Sequence, residues 1–125
     1  MAIPDTKSRG DRGETLAAEH FERLGYRILS RNFRTRYGEL DLVLADPADH
    51  TIVFCEVKTR TLGSGGTPWD NLHPGKRKQV RRMAAAWVTA VRDRPYHAEL
   101  RFDAVGVTLD RDGALVRLDH LEAAF

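Results

Sequence analysis

The chain has 125 residues, with 20 Lys and Arg against 18 Asp and Glu and a formal net charge of +2. That is one ordinary domain, long enough to close a hydrophobic core without disulfides or a structural metal. One cysteine, Cys55, excludes an intramolecular disulfide, no Cys/His zinc spacing is present, and no run approaches the ~18–20 apolar residues of a membrane span. The start, MAIPDTKSRGDRGE, lacks the apolar run of a signal peptide, so a cytoplasmic location with no membrane partner is expected. Near-balanced charge says little about partners; where the charges sit matters more.

Residues 1–12 are polar and are expected to be a flexible N-terminal segment, with residues 13–125 forming a single domain. From Glu14, ETLAAEHFERLG places Ala17, Phe21 and Leu24 at helical spacing, and Gly25 supplies a C-cap. YRILSRNF reads as a strand or its lead-in. RYGELDLVLA is a second strand entered through a turn at Gly38, and Asp46, Pro47 and Asp49 signal the next turn. TIVFCEVKTR, residues 51–60, is the third strand. The glycine-rich TLGSGGTPW follows, with Trp69 expected to be exposed on a mobile loop.

Residues 74–94 give the clearest helix: Val80, Met83, Ala84, Trp87, Val88 and Val91 form one apolar stripe between Pro74 and Pro95. AELRFDAVGVTL and ALVRLDHL are two more strands, joined by the hairpin signal Asp112-Gly113. The order α-β-β-β-α-β-β, with consecutive strands early, predicts an α/β fold with a mixed central sheet flanked by helices.

The third strand poses a chemical question. Alternation puts Val53, Cys55 and Val57 on one face and Ile52, Phe54, Glu56 and Lys58 on the other. Both faces are mainly apolar, as in a covered central strand, and buried charge is costly unless it is paired or binds a metal. In the preceding strand Leu40, Leu42 and Leu44 are expected on one face, with Glu39, Asp41, Val43 and Ala45 on the other. An antiparallel hairpin brings Asp41 near Glu56 and Lys58. Neighbouring carboxylates raise each other's pKa unless a cation lies between them. Mg²⁺ or Mn²⁺ prefers such oxygen ligands, and a lysine beside them can stabilise charge developing on a phosphoryl group. The set suits metal-dependent phosphodiester cleavage.

With GETLAAEHFERLGYRILSRNFR, GELDLVL, FCEVKTR, PGKRKQVRR and RFDAVGV in order along the chain, the sequence resembles the YraN family of bacterial proteins. That family belongs to the PD-(D/E)xK nuclease-like superfamily and is similar to archaeal Holliday-junction resolvases. The resemblance implies a restriction-endonuclease-like fold. It implies metal binding by Asp41 and Glu56, with Glu14 completing the site, and a catalytic role for Lys58 beside those two acids. Gln79 falls where many superfamily members carry a supporting glutamine, and Glu39 shares a face with Asp41. The PD motif reads Leu40-Asp41 here, without the proline.

KRKQVRR places Lys76, Arg77, Lys78, Arg81 and Arg82 at the start of the long helix, where the macrodipole disfavours cations. Phosphates would be drawn to the same helix end. Arg31, Arg34 and Arg36 add a second basic run. The expected partner is therefore nucleic acid, with DNA the first choice and branched or junction DNA the substrate the resemblance suggests. No aromatic-interleaved base-reading motif is seen, which favours backbone recognition. Two functions stand: a Mg²⁺- or Mn²⁺-dependent endonuclease, or a non-catalytic nucleic-acid-binding module on the same fold. A homodimer is left open, with no dimer seam visible in the sequence.

Overall fold

A computed structural model describes residues 6–67, 69 and 74–125. Its elements run α1 (Thr6–Arg23), β1 (Arg27–Thr35), β2 (Gly38–Asp46), β3 (Thr51–Thr61), α2 (Pro74–Ala90), β4 (Glu99–Leu109) and β5 (Leu115–Leu121). The strands form one five-stranded sheet in the order β1-β2-β3-β4-β5. Only β3 and β4 are parallel, and α2 lies in the connection between them. A parallel pair needs a long crossover, whereas the antiparallel neighbours are joined by short turns. This α-β-β-β-α-β-β mixed fold is the expected one and is consistent with a restriction-endonuclease-like architecture.

Each helix covers one face of the sheet. On the α1 side, Ala17, Ala18 and Phe21 pack with Leu42, Leu44, Val53, Cys55, Val105, Val107 and Leu109. On the other, Val80, Met83, Ala84 and Trp87 of α2 pack with Val43, Ile52, Phe54, Phe102 and Ala104. Burial on both faces explains why β3 reads as a near-continuous apolar run. Trp87 is fully enclosed, and its indole N–H donates to Ser30 Oγ at 2.9 Å, which removes the penalty of an unpaired buried donor.

Several details differ from expectation. Helix α1 begins at Thr6, so residues 6–12 are helical where a loose segment was expected; residues 1–5 lie outside the described residues. Tertiary contacts account for this extension: Arg9 donates to the carbonyls of Asp110 and Arg111 at 3.0 and 2.7 Å, and Arg12 donates to that of Gly113. Leu24 is exposed, and Ala18 takes a core position instead. Helix α2 stops at Ala90, short of Arg94, and Pro95 separately disfavours helical geometry at Arg94. Trp69 packs against the α2-side core instead of standing exposed. Leu40 joins the α2-side cluster while Leu42 and Leu44 join the other, so alternation breaks around Asp41. The neighbouring strand is irregular at the same level, where Asn32 adopts a φ of 52°.

Candidate metal and nucleic-acid site

The pairing of β2 with β3 runs from Asp46–Thr51 to Leu42–Cys55. Just beyond that last pair, Asp41 Oδ2 accepts the backbone N–H of Val57 at 2.7 Å. A carboxylate thus stands in for a strand carbonyl, and the bond fixes Asp41 where the two strands part. Glu39 reaches the same point from β2 and Glu14 from α1; oxygens of Glu14, Glu39 and Asp41 lie within 4.8 Å of one another.

The backbone sets these positions. Gly13 lets α1 approach β3 so closely that a Cβ there would collide with the Thr59 side chain. Glu14 is therefore held against the sheet. Gly38 has a φ of +138°, and a Cβ on it would come within 2.9 Å of Gln79 Nε2. Gln79 donates to the carbonyl of Tyr37 at 2.6 Å, so it pins the turn that leads into Glu39. Its observed contact is with this turn. Asn32, with its amide nitrogen oriented toward the acids, donates to Glu39 Oε1 and Glu14 Oε2, both at 2.9 Å.

Clustering shifts the acids' protonation. Burial first, then the charges of Glu14, Glu56 and Glu39, push the Asp41 carboxyl up to about 7 against the opposing pull of the Val57 N–H. Burial also raises Glu14, opposed by its Asn32 hydrogen bond and helped by the charges of Glu39 and Asp11. Carboxylates raised in this way favour either a proton or a cation among them.

Glu56 is not part of this three-acid group. Lys76, from the first turn of α2, meets its Oε1 at 2.7 Å, while Oε2 is buried without a hydrogen-bond partner among the described residues. Lys58 is exposed and lines a groove with Arg9, Glu14 and Arg60. The structure therefore gathers Glu14, Glu39 and Asp41, sets Lys58 on the rim beside Glu14, and turns Glu56 toward Lys76.

The two basic runs converge. Tyr37 lies between Arg36 of the β1–β2 turn, 5.2 Å from its ring centre, and Arg82 of α2, 5.6 Å away. Arg81 sits 4.8 Å over the Phe102 ring, and Arg34 pairs with Glu39 at 3.5 Å. Arg31, Arg77 and Lys78 are exposed.

Two features escaped the sequence reading. The low strand preference of asparagine was the only signal for Asn32. The other is the histidine end of a buried polar chain, since an Asp103–Arg101 pair is what RFDAV itself suggests. Asp103, fully enclosed, accepts from Arg101 at 2.8 Å, from the Ala123 N–H at 3.0 Å and from His120 Nε2 at 2.8 Å. His120 Nδ1 lies 3.0 Å from His20 Nε2. Burial alone would raise the Asp103 carboxyl, but its bonds to His120, Arg101 and Ala123 hold it below its usual value. Desolvation, then the nearby His120 and Arg23, lowers His20. The two histidines are far apart in sequence, so no spacing signal linked them.

Fold and site define a mixed α/β domain of restriction-endonuclease-like order with an acidic cluster where its central hairpin parts. The family model described as "Uncharacterised protein family UPF0102" matches residues 13–107, and the chain belongs to that family. Among its relatives are UPF0102 proteins of Pelobacter propionicus, 39% identical over 99% of this chain and 86% of that one, and of Geobacter metallireducens, 41% identical over 95% and 93%. A UPF0102 protein of Mycobacterium avium is 48% identical over 82% of this chain and 78% of its own.

Proposed function

We propose that this protein is a divalent-metal-dependent endonuclease that cleaves phosphodiester bonds of DNA, with branched or junction DNA as its substrate class. The observation that carries the reading is the convergence of Glu14, Glu39 and Asp41 within 4.8 Å. An all-oxygen donor set in which the Glu14 and Asp41 carboxyls are raised suits a hard cation such as Mg²⁺ or Mn²⁺. Glu56, whose Oε2 has no hydrogen-bond partner among the described residues, lines a small cavity with Glu39 and Asp41 and offers a further oxygen. When bound, such a cation polarises a phosphoryl oxygen and lowers the pKa of a bound water.

The chain's own groups have distinct roles in this reading. Glu14, Glu39 and Asp41 hold the cation, and the Val57 N–H keeps Asp41 oriented. Lys58, exposed beside Glu14, stabilises negative charge on the phosphoryl group in the transition state. Glu56 keeps one oxygen on Lys76, and its other oxygen, buried without a hydrogen-bond partner among the described residues, is held toward the acids' side of β3 as a reserve acceptor. The cationic surface from Arg36 to Arg82, with Arg77, Lys78 and Arg81, holds the backbone of the nucleic acid.

The test combines calorimetric titration of Mg²⁺ and Mn²⁺ with cleavage assays on branched, flapped and single-stranded DNA. Wild type should bind metal and cut; Asp41→Asn should lose both, and Lys58→Ala should keep metal binding while losing cleavage. DNA binding without cleavage of any substrate would instead identify a binding module on a nuclease-like fold.

A further inference from the structure

The sheet has two open edges, and their chemistry differs. The β1 edge carries Arg27, Arg31 and Arg34 and no acid within the strand, so pairing with a second β1 would bring like charges together. The β5 edge has no strand partner among the described residues. It also displays Leu115, Val116 and Leu121, exposed at 41%, 47% and 39%. Natural proteins usually blunt such an edge with charge or cover it.

The sequence of β5, LVRLDHL, is complementary to itself when reversed about Leu118. In an antiparallel pair centred there, Arg117 of one copy faces Asp119 of the other, twice by symmetry. Both side chains lie on the same side of the sheet, where they pair within the chain at 2.8 Å. Leu115 of each copy then comes opposite Leu121 of the other, bringing exposed apolar groups together, and Val116 comes opposite His120.

Backbone direction permits the same register. The Phe102 carbonyl accepts from Ala124, on the β5 side, while the Leu109 carbonyl accepts from Leu62, on the β3 side. Even-numbered residues of β4 therefore turn their polar groups to β5, and their partners Arg117, Asp119 and Leu121 turn theirs inward. Leu118 and His120 are left with N–H and C=O facing the open edge, as a pair centred on Leu118 requires.

We infer that β5 is the interface at which two copies of this chain join, antiparallel about Leu118, into one continuous ten-stranded sheet. The two-fold axis stands perpendicular to the sheet, so both α2 helices lie on the same side. The two β3 strands are separated by five strand spacings, about 24 Å. The inference rests on the edge itself and is independent of the proposed catalysis.

Sedimentation velocity on the full chain tests it through a charge-swap pair. Wild type should sediment as a dimer. Arg117→Asp alone sets Asp against Asp, and Asp119→Arg alone sets Arg against Arg, so each should be monomeric. An equimolar mixture of the two variants should recover a dimer, because opposite charges meet across the interface while the internal Arg117–Asp119 pair stays broken in both chains. A monomeric wild type, single variants that remain dimeric, or a mixture that stays monomeric would each overturn the inference. Circular dichroism matching wild type separates lost pairing from lost fold. If either charge variant unfolds, Val116→Lys at an exposed position replaces it and should give a folded monomer; a folded dimer would count against the interface.

Discussion

Asp41 carries two duties that oppose each other without a cation: it caps the Val57 N–H and it sits among other acids. Its carboxyl is raised from 3.8 to about 7, so the folded chain holds a proton that the unfolded chain releases. In metal-free buffer this group's contribution is full below about pH 4 and is lost as pH climbs through about 7. Urea unfolding at a series of pH values should show stability falling across that window, and Asp41→Asn should flatten the fall. Asp103 has the opposite sign. Its carboxyl is held below the usual value, so its contribution is present above about pH 4 and is lost in stronger acid. Asp103→Ala leaves Arg101 and His120 without their buried partner and should cost about 3–5 kcal/mol in chemical denaturation at neutral pH.

At the scale of elements, the site depends on how closely α1 lies on β3. Gly13→Ala should force helix and strand apart, costing about 1–3 kcal/mol in thermal melts. Adding Thr59→Ala, which removes the nearest colliding atoms, should recover part of the loss. Metal affinity should weaken in the single variant, because Glu14 follows Gly13 directly on the helix. The elements themselves were largely legible in the sequence, since periodicity and turn residues mark strands buried on both faces and an amphipathic α2. The short β2–β3 hairpin that brings Asp41 beside β3 was legible too. What escaped notice depends on contacts distant in sequence. Arg9 and Arg12 hold the start of α1 to the β4–β5 turn, Lys76 pairs with Glu56, and the break in alternation at Asp41 moves Leu40 to the other core. Local pattern carries no information about such partners.

Across the molecule, the cations form a surface that bridges α2 and the β1–β2 turn around Tyr37. Lys76 is already paired with Glu56, which leaves Arg77, Lys78, Arg81 and Arg82 of the α2 run. If these meet four phosphates, log K for DNA should fall with log salt at a slope of about −3.6, and Arg82→Ala should reduce that slope by about 0.9. Fluorescence anisotropy over a salt series measures both. The contribution is electrostatic, so it should persist when metal is chelated. No helix among the described residues is long and apolar enough to cross a membrane, and this surface needs only an aqueous polyanion.

Cys55 gives the protein an internal clock. Its thiol is buried between α1 and the central strand, and burial, with the charges of Asp103, Asp41 and Glu56, raises its pKa well above the usual thiol value. An alkylating reagent can therefore reach a reactive thiolate only when α1 lifts from the sheet or the whole fold opens. The labelling rate under native conditions then reports how often that opening occurs. A cation bridging Glu14 to Asp41 would tie α1 to β2 and slow the labelling, giving an optical readout of the acidic site that requires no substrate.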